Sequence, residues 1–597
     1  MIRIDEKFKD ASPVDTVNKI LNLLHEHGFE AEEAWKDSGL DDCYSVRVTI
    51  KGTALGSYGK GITKELARAS GYAELMERLQ SGHLGAGLGK VRFNDVRDMT
   101  CGEVAADAGR YLQLMSQKIA ENEGATISAE ELAAASTRYG AMEHTSAIPY
   151  MDIMTGEYVY LPHILVDALY RTSGLAAGNS TEEAIVQGFS EIVERYCQGH
   201  FLREKLTPPT IPDEYLQKFP TAWHIIEQIR AAGLTVLVKD CSMAEGYPVV
   251  ASAIVNRETQ SYRVIFGSSP VFEIALERSL TETFQGASLD DLRLMSGYFA
   301  GSKRNASDIE SAFRHGGAIY PIEFFAEKAS FEFKPFEDRS HLTNRGLLSY
   351  IVHYLREKGR TMLVRDLSHL GFHTYRLIVP GMSEVVTYIF AGEPSVIRLK
   401  SETWVAARNL DKATPEQLFA YTLRVKNEPS VRGAIPDYKS LTGIPLKVSL
   451  SENRFLALCS AAYANWQTGN LMQAYRYALS AKTYASEENM KLFDCVCQLV
   501  GLRLNKYTVE RAKELLNVFF TDETLDAAEA CLQEGNPFAR WLIRCTVECD
   551  RCPEKERCQY PVNLEVTEQL NRAVEAFDNE TAFARLRSCF APLLEQK

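Results

Sequence analysis

The chain has 597 residues, of which 45% are hydrophobic and 24% are charged, and its formal net charge is −13. This composition is typical of a globular protein with about two to four domains, and the acidic balance argues against general binding of nucleic acid or anionic membranes. We find no run of roughly 18 apolar residues and no apolar secretory leader, so we expect a cytoplasmic protein.

The first 410 residues mix strand-like and helix-like segments. Three segments, Cys43 to Ile50, Leu234 to Asp240 and Tyr247 to Val255, are rich in β-branched residues, which favours strands. The longer stretches between them have apolar residues at the three-and-four spacing of helices. We therefore predict a mixed α/β (α+β) domain over residues 1–410.

Two segments of this domain repeat each other without gaps. GITKELARASGYAELMER (Gly61 to Arg78) and GNSTEEAIVQGFSEIVER (Gly178 to Arg195) lie 117 positions apart and share seven of eighteen residues. A looser third copy, EIALERSLTETFQ, runs from Glu273 to Gln285. Between the first two copies the charged positions match more often than the apolar ones, which favours a shared ion site over packing alone.

The repeat predicts three pairs of oxygen-bearing side chains. Residues three positions apart share one face of a helix, so each copy would present one pair. The pairs are Glu74 and Glu77, Glu191 and Glu194, and Glu282 and Gln285. Mg²⁺ prefers oxygen ligands from a few carboxylates and phosphates, so three such helices could hold a metal–triphosphate. The loops at Gly59–Gly61 and Gly178–Ser180 precede two of these helices and would expose backbone N–H groups to phosphate.

Standard nucleotide motifs, such as the P-loop and the Rossmann glycine fingerprint, are absent from the sequence. The chain nevertheless resembles the YcaO-domain family, in particular the enterobacterial type with a helical C-terminal domain. The resemblance covers roughly residues 5–400 and rests on KDASPVDT, GKGITKELARASGYAELMERL, GLAAGNSTEEAIVQGFSEIVERY, ALERSLTETFQG and HLGFHTYRLIVPGMSEV. It implies an ATP- and Mg²⁺-dependent enzyme that phosphorylates the oxygen of a backbone amide in a protein or peptide, after which a nucleophile attacks the amide carbon.

The resemblance also implies site residues by position. The residues that would hold magnesium and phosphates are Glu74, Glu77, Glu191, Glu194 and Glu282, and Arg195 would complete the catalytic set by offsetting phosphate charge. The residues that would line the nucleotide pocket are Lys9, Thr16, Ser70, Asn179, Glu183, Gln187, Arg278 and Gln285. Thr16 stands where the family usually has serine, which keeps the hydroxyl group.

The identity of the substrate is a separate question. Azoline-forming members of the family often end in a proline-rich tail, whereas this chain ends in RLRSCFAPLLEQK, which favours the non-azoline branch. The resemblance then implies an accessory factor in ribosomal protein methylthiolation, a homodimer that works with a methylthiolating or sulfur-transfer enzyme. The alternative is a nucleotide-binding scaffold that recruits such a partner without amide chemistry of its own.

From residue 411 the strand-like segments stop. Two helical hairpins, with turns at Gly469-Asn470 and Asn505-Lys506, follow each other at a spacing of 36 residues. This period is typical of tetratricopeptide (TPR)-like repeats. We therefore predict an all-α, TPR-like domain over residues 411–597, which could dock a partner.

A cysteine-rich segment lies near the end of this predicted domain. Its cysteines are Cys545, Cys549, Cys552 and Cys558, and the Cys-x-x-Cys spacing suits zinc or an iron–sulfur cluster. All twelve histidines lie at or before His373, so such a site would depend on thiolates. The alternative is that these residues are ordinary small thiols at the end of a helix.

Overall fold

The computed structural model describes residues 9–84, 91–124, 126–134, 144–290, 292, 295–296, 318–385, 387, 407–427, 438–545 and 548–595. The chain forms two compact units. The first comprises the described residues up to Pro394 together with those from Glu565 onward, and the second comprises the described residues between Ser395 and Leu564. The single boundary expected after residue 410 differs from this division, because Leu586 and Phe590 are buried in the core of the first unit.

The strands of the first unit form antiparallel sheets. In chain order they are β1 (Ala31–Lys36), β2 (Tyr44–Ile50), β3 (Gly56–Gly61), β4 (Arg97–Thr100), β5 (His144–Asp152), β6 (Tyr158–Pro162), β7 (Leu175–Gly178), β8 (Thr235–Asp240), β9 (Val249–Asn256), β10 (Ser261–Ser268), β11 (Met295–Ser296), β12 (Leu363–Asp366) and β13 (His373–Ile378). The sheet orders are β1-β2-β3, β11-β10-β9-β8, and β4-β5-β12-β13-β7 with β6 paired to β5. The three strands predicted from sequence are confirmed as β2, β8 and β9.

The helices cover these sheets in the first unit and make up most of the second. In chain order they are α1 (Pro13–Glu26), α2 (Lys64–Ser81), α3 (Cys101–Glu123), α4 (Ala129–Ala134), α5 (His163–Tyr170), α6 (Thr181–Arg203), α7 (Asp213–Leu216), α8 (Pro220–Ala231), α9 (Phe272–Thr281), α10 (Asn344–Glu357), α11 (Pro415–Asn427), α12 (Tyr438–Thr442), α13 (Leu450–Gln467), α14 (Leu471–Lys482), α15 (Glu487–Leu504), α16 (Val509–Leu516), α17 (Asp522–Gln533), α18 (Tyr560–Glu575) and α19 (Asn579–Glu595). The predicted fold class, a mixed α/β region followed by a helical region, is confirmed. None of the described helices is long and apolar enough to cross a membrane.

Three strand–helix units explain the repeat in the sequence. We define them as β3–α2, β7–α6 and β10–α9. In each unit a strand glycine lies against an alanine of the helix that follows, and the pairs are Gly59 with Ala67, Gly178 with Ala184, and Gly267 with Ala275. A Cβ atom on Gly59 would lie 2.0 Å from the Ala67 carbonyl oxygen, and one on Gly267 would lie 2.3 Å from the Ala275 carbonyl oxygen. Only glycine permits this close approach, which fixes where each helix leaves its strand.

Local capping fixes the start of the first two of these helices. The Thr63 hydroxyl accepts a hydrogen bond from the Leu66 N–H at the start of α2, and the Ser180 hydroxyl accepts one from the Glu183 N–H at the start of α6. Such caps satisfy N–H groups that have no partner within the helix. The register of each helix is therefore set by its first turn, and the acidic residues further along face a defined direction.

The second unit has its own hydrophobic core. The predicted hairpins are present as α13 with α14 and as α15 with α16, with turns at the expected positions. Their core includes Phe455, Ala478, Phe493 and Val500. The likeness of these hairpins to TPR repeats stays a prediction.

A carboxylate-rich cavity as the candidate functional site

The three strand–helix units line one cavity of about 360 Å³ within the first unit. Its lining includes the expected site residues of this unit, namely Lys9, Thr16, Ser70, Glu74, Glu77, Asn179, Glu183, Gln187, Glu191, Glu194, Arg195, Arg278, Glu282 and Gln285. Side chains from three segments that are distant in sequence thus converge on one cavity. Their individual roles stay predictions.

On the α2 wall of the cavity, two carboxylates contact the same arginine. Arg78 Nη2 lies 3.3 Å from Glu74 Oε1, and Arg78 Nη1 lies 3.1 Å from Glu77 Oε1. Burial raises the pKa of Glu77 to about 8, the neighbouring Glu74 and Glu191 carboxylates add to this rise, and Arg78 and Arg376 partly oppose it. A second cation near Glu77 would therefore be strongly favoured.

The α6 wall repeats the arrangement with one difference. Arg195 donates from Nε and Nη2 to Glu191 Oε1, at 2.8 and 2.7 Å. Glu194 Oε2, in contrast, is buried without a hydrogen-bond partner among the described residues. Burial raises the pKa of Glu194 to about 8 and the Glu282 and Glu191 carboxylates add to it, although Arg278 opposes the rise.

The third wall departs from the predicted geometry. We expected Glu282 and Gln285 on one helix face, but α9 ends at Thr281 and Glu282 begins a 3₁₀ turn. Gln285 Nε2 donates to the carbonyl oxygen of Tyr58 at 2.8 Å, which ties this turn to β3. Glu282 Oε2 pairs with Lys60 Nζ. Burial tends to raise the pKa of Glu282, but Lys60, with help from Arg278 and Arg195, holds it below its usual value.

A polar network forms another part of the lining, around the start of α6. Thr16 Oγ1 donates to Asn179 Oδ1 at 3.0 Å, and Asn179 Nδ2 donates to Glu183 Oε2 at 3.1 Å. Lys9 Nζ lies 3.2 Å from Glu183 Oε1, and the Asp10 N–H donates to Glu183 Oε2. These side chains offer a nucleoside both donors and acceptors, next to a helix N-terminus that favours negative charge.

Gln187 and Arg278 also line the cavity and contact each other. Arg278 Nη1 donates to Gln187 Oε1. Ser70 lies on α2 one turn before Glu74 and also lines the cavity. The Arg278 guanidinium is therefore oriented by a neutral partner, while its charge acts on the nearby Glu194 and Glu282 carboxylates and tends to lower their pKa values.

Three charged residues of the cavity lining, Lys60, Arg78 and Glu277, were not assigned a role from sequence. Arg78 matches Arg195 in the repeat, so its position was visible, and it pairs with both glutamates of α2. Lys60 lies in a glycine loop expected to present backbone groups, whereas its side chain reaches Glu282. The contact between Lys60 and Glu282 joins segments 222 residues apart, so no local pattern could reveal it.

The donor set fits a hard divalent cation bound together with an anion. Seven carboxylates line the cavity, namely Glu74, Glu77, Glu183, Glu191, Glu194, Glu277 and Glu282. One buried carboxylate oxygen of Glu194 has no hydrogen-bond partner among the described residues, and carboxylate oxygens are the ligands that Mg²⁺ prefers. Lys60, Arg195 and Arg278 would balance negative charge brought in by phosphates. The chemistry of the lining is therefore that of a metal–polyphosphate site.

The cysteine segment has no such cavity support. Across the part of the chain that the structure describes, neither the cavity glutamates nor the cysteines form a group of three or more His, Cys, Asp or Glu side chains already arranged to hold a metal ion. Cys545 and Cys558 instead pack against the hydrophobic core of the second unit. The structure therefore does not support the predicted zinc or iron–sulfur site at Cys545, Cys549, Cys552 and Cys558.

A family model described as YcaO cyclodehydratase, ATP- and Mg²⁺-binding, matches residues 58–383. This span covers more than half of the chain and contains the three acidic strand–helix units. The chain belongs to the YcaO family.

The proteins to which the chain is similar include a curated relative and two solved structures. The ribosomal protein S12 methylthiotransferase accessory factor YcaO of Escherichia coli is 28% identical over 403 residues, which are 63% of this chain and 66% of that protein. A heterocyclase in complex with substrate and cofactor is 21% identical, with a TM-score of 0.45 over 63% of this chain and 53% of that one. A Methanopyrus kandleri YcaO bound with AMPPCP and Mg²⁺ is 19% identical, with a TM-score of 0.41 over 64% of this chain and 95% of that one.

Proposed function

We propose that this YcaO protein binds ATP with Mg²⁺ in the acidic cavity and uses it to phosphorylate the oxygen of a backbone amide in a protein or peptide. The observation that carries the proposal is the convergence of seven carboxylates with Lys60, Arg78, Arg195 and Arg278 in one cavity, most of whose lining lies in the matched family region. A carboxylate-rich, cation-lined cavity is sufficient apparatus for phosphoryl transfer, which depends mostly on positioning and charge stabilisation.

The acidic walls would hold the metal. Its ligands would be drawn from Glu74, Glu77, Glu191, Glu194 and Glu282. Bound there, magnesium would supply neutralisation of phosphate charge. Arg195 and Arg278 would bind phosphate oxygens, since a guanidinium presents several fixed N–H donors.

The polar network around the start of α6 would bind the rest of the nucleotide. Its residues are Lys9, Thr16, Asn179 and Glu183, with Ser70, Gln187 and Gln285 on neighbouring parts of the lining. Because Asn179 and Glu183 are already joined to each other, their side chains are oriented before the ligand arrives. Preorganisation of this kind reduces the entropy lost on binding.

The chemical reason for using ATP is that an amide oxygen is a poor leaving group. A phosphoryl group transferred to that oxygen lets it depart as phosphate after a nucleophile has attacked the amide carbon. The cavity residues would position the amide oxygen and the phosphate and would offset the negative charge that spreads over the transferring group.

We propose further that the chain is a cytoplasmic accessory factor in ribosomal protein methylthiolation, acting as a homodimer with a methylthiolating or sulfur-transfer partner. Support comes from the name of the Escherichia coli relative, of whose length this chain covers 66%. The helical unit would contribute the surface for the partner protein.

The test is calorimetric titration with ATP, with and without Mg²⁺, followed by assay of phosphate release with candidate peptides and partners. We expect Mg²⁺-dependent binding and turnover, both lost in Glu191→Gln. Glu65→Gln is the matched control, because Glu65 lies on an acidic helix but is exposed and outside the cavity. Binding of ATP that is never followed by turnover would identify a nucleotide-binding scaffold instead of an enzyme.

A further inference from the structure

Lys60 is a cavity residue that stands outside the acidic repeat. It lies on β3 between Gly59 and Gly61, and its side chain lines the cavity. The equivalent strand positions in the other two strand–helix units carry Ala177 and Ser268. Among these three units, the first alone sends a cation into the cavity from its strand.

The backbone of Lys60 is held on both sides. A Cβ atom on Gly59 would lie 2.0 Å from the Ala67 carbonyl oxygen, and one on Gly61 would lie 2.6 Å from the Ala67 nitrogen. Lys60 also pairs with Ser45 in the ladder between β2 and β3. Since the backbone is fixed against α2, the ammonium group moves only through rotation of its own side chain.

The carboxylate that Lys60 contacts is fixed from the opposite side. Gln285 Nε2 donates to the Tyr58 carbonyl oxygen at 2.8 Å, and the Gly286 N–H donates to Ser45 Oγ at 2.9 Å. The two contacts hold the turn that carries Glu282 against β3, on which Lys60 lies, and against the neighbouring strand β2. The ion pair is therefore built into the wall of the cavity.

The cavity carboxylates differ in the cation that they contact. Glu74 and Glu77 contact Arg78 and Glu191 contacts Arg195, and each of these arginines lies on the same helix as its partner. Glu282 contacts a lysine on another segment. An ammonium group is a compact charge on a flexible stem, so it can leave a carboxylate more easily than a guanidinium held on the same helix.

We propose that Lys60 is the internal counter-ion of Glu282 in the metal-free protein, and that a divalent cation and the phosphates of a nucleotide together displace it. The inference rests on the proposed function, because it takes Glu282 to be a metal ligand. The ammonium and the divalent cation compete for the same carboxylate oxygen. The ammonium released from Glu282 then binds a phosphate oxygen of the nucleotide.

This exchange predicts coupling between metal and nucleotide. When a metal ion binds without nucleotide, it displaces the Lys60 ammonium from Glu282 and the ammonium has no other anion to pair with. The metal ion alone therefore binds weakly. A nucleotide provides that anion, so metal and nucleotide bind more tightly together than separately. Such coupling is a free energy shared by two ligands and is reciprocal.

The experiment measures binding of Mn²⁺, as a paramagnetic probe, by electron paramagnetic resonance in the full-length protein. Titrations are made without nucleotide and with the β,γ-methylene analogue of ATP. Lys60→Met removes the charge and keeps the length of the side chain, whereas Lys60→Arg keeps the charge. Lys64→Met is the matched control, because Lys64 is exposed in the first turn of α2 and does not line the cavity.

In Lys60→Met we expect Mn²⁺ alone to bind roughly fivefold or more tightly than in the wild type, and its coupling to the nucleotide analogue to fall by a similar factor. Lys60→Arg and Lys64→Met should retain the coupling. Circular dichroism and thermal denaturation establish that each variant is folded, and Lys60→Gln serves as a second charge-removing variant if Lys60→Met does not fold.

A double-mutant cycle separates competition at Glu282 from a general change in cavity charge. If Lys60 acts through Glu282, Lys60→Met will no longer strengthen Mn²⁺ binding in the Glu282→Gln background. An equal gain in both backgrounds would overturn the inference. Unchanged Mn²⁺ binding in Lys60→Met would overturn the inference as well. In that case, Mn²⁺ binding that is lost in Glu191→Gln would leave the proposed function standing. Absence of Mn²⁺ binding in the wild type with the analogue would overturn both.

Discussion

The acidic cavity and the cysteine segment are two regions in which the sequence predicts a metal site, and they differ in outcome. The cavity carboxylates come from distant segments and line one cavity together with Lys and Arg side chains, whereas the four cysteines lie within residues 545–558 and two of them, Cys545 and Cys558, pack against a hydrophobic core. Closeness in sequence is therefore a weaker guide to a site than a scaffold that fixes each contributing segment.

The scaffold of the cavity consists of the glycine–alanine contacts that fix each acidic helix or turn on its strand. The described residues of the cysteine segment form short 3₁₀ turns at Cys549–Arg551 and Lys555–Arg557 and a β-bridge between Cys558 and Leu446, and Cys545 and Cys558 pack as small apolar residues. Four predictions test this comparison, in order of decreasing effect.

The largest effect is expected from Gly59→Ala. The new methyl group would meet the Ala67 carbonyl oxygen, a backbone atom that cannot move aside without shifting α2. We expect a loss of about 4 kcal/mol or more in the free energy of unfolding, or failure to fold, measured by thermal denaturation and soluble yield. Gly109→Ala is the control, because a Cβ there meets no atom within 4 Å, and it should stabilise the protein by about 0.5 kcal/mol or more. Equal stability of both variants would contradict the role given to the glycine contacts.

The second prediction compares one residue from each region. Glu194→Gln keeps the shape of the side chain but replaces the carboxyl group, whose Oε2 atom lacks a hydrogen-bond partner among the described residues, with an amide that cannot ionise. We expect Mg²⁺-dependent ATP turnover to fall about 100-fold or more, because a ligand of the metal that would neutralise the reacting phosphate is lost. Cys552→Ser should leave turnover unchanged. A comparable loss in the cysteine variant would show that the second region takes part in catalysis.

The third prediction concerns a buried carboxyl outside the cavity. Glu384 accepts hydrogen bonds from the Tyr170 hydroxyl and from the Gly381 N–H, and burial raises its pKa to about 7. The ordinary pKa of a glutamate is 4.5, so as the pH rises the Glu384 carboxyl loses its proton in the unfolded chain before it does so in the folded protein. The free energy of unfolding of the wild type therefore falls between about pH 4.5 and about pH 7.

Glu384→Gln removes this titration. The free energy of unfolding of the variant relative to the wild type should rise by about 3 kcal/mol across the same pH window and stay constant above it. Urea denaturation of both proteins at a series of pH values measures the difference. A difference that does not change with pH would show that Glu384 is ionised in the folded protein.

The smallest effect is expected at Thr16. Thr16→Val removes the hydroxyl that donates to Asn179 Oδ1, so Asn179 loses one of the contacts that orient it. We expect ATP affinity, measured by calorimetry, to weaken by about fivefold to tenfold, which corresponds to roughly 1 kcal/mol. Thr16→Ser should restore it. If Thr16→Val binds ATP as well as the wild type, the network at the start of α6 does not contribute to the nucleotide site.

Much of the fold and of the cavity lining could be predicted from particular residues. The repeated glycines, alanines and glutamates identified α2 and α6 and the residues that face the cavity from them, because helix periodicity is a local property. The third copy was less regular, and the end of α9 before Glu282 could not be foreseen, since hydrogen bonds to a distant strand hold the turn that follows.

The sequence by itself determined the family, the mixed fold class, the helical character of the second region and the set of acidic side chains, because each of these follows from patterns along the chain. Only the tertiary structure decided that Lys60 pairs with Glu282, that Gln285 holds Tyr58, that α19 packs with the first unit, and that the cysteines form no metal-binding group among the described residues. The physical reason is that the choice of partner between distant segments depends on how whole elements pack, and local spacing carries no information about that packing.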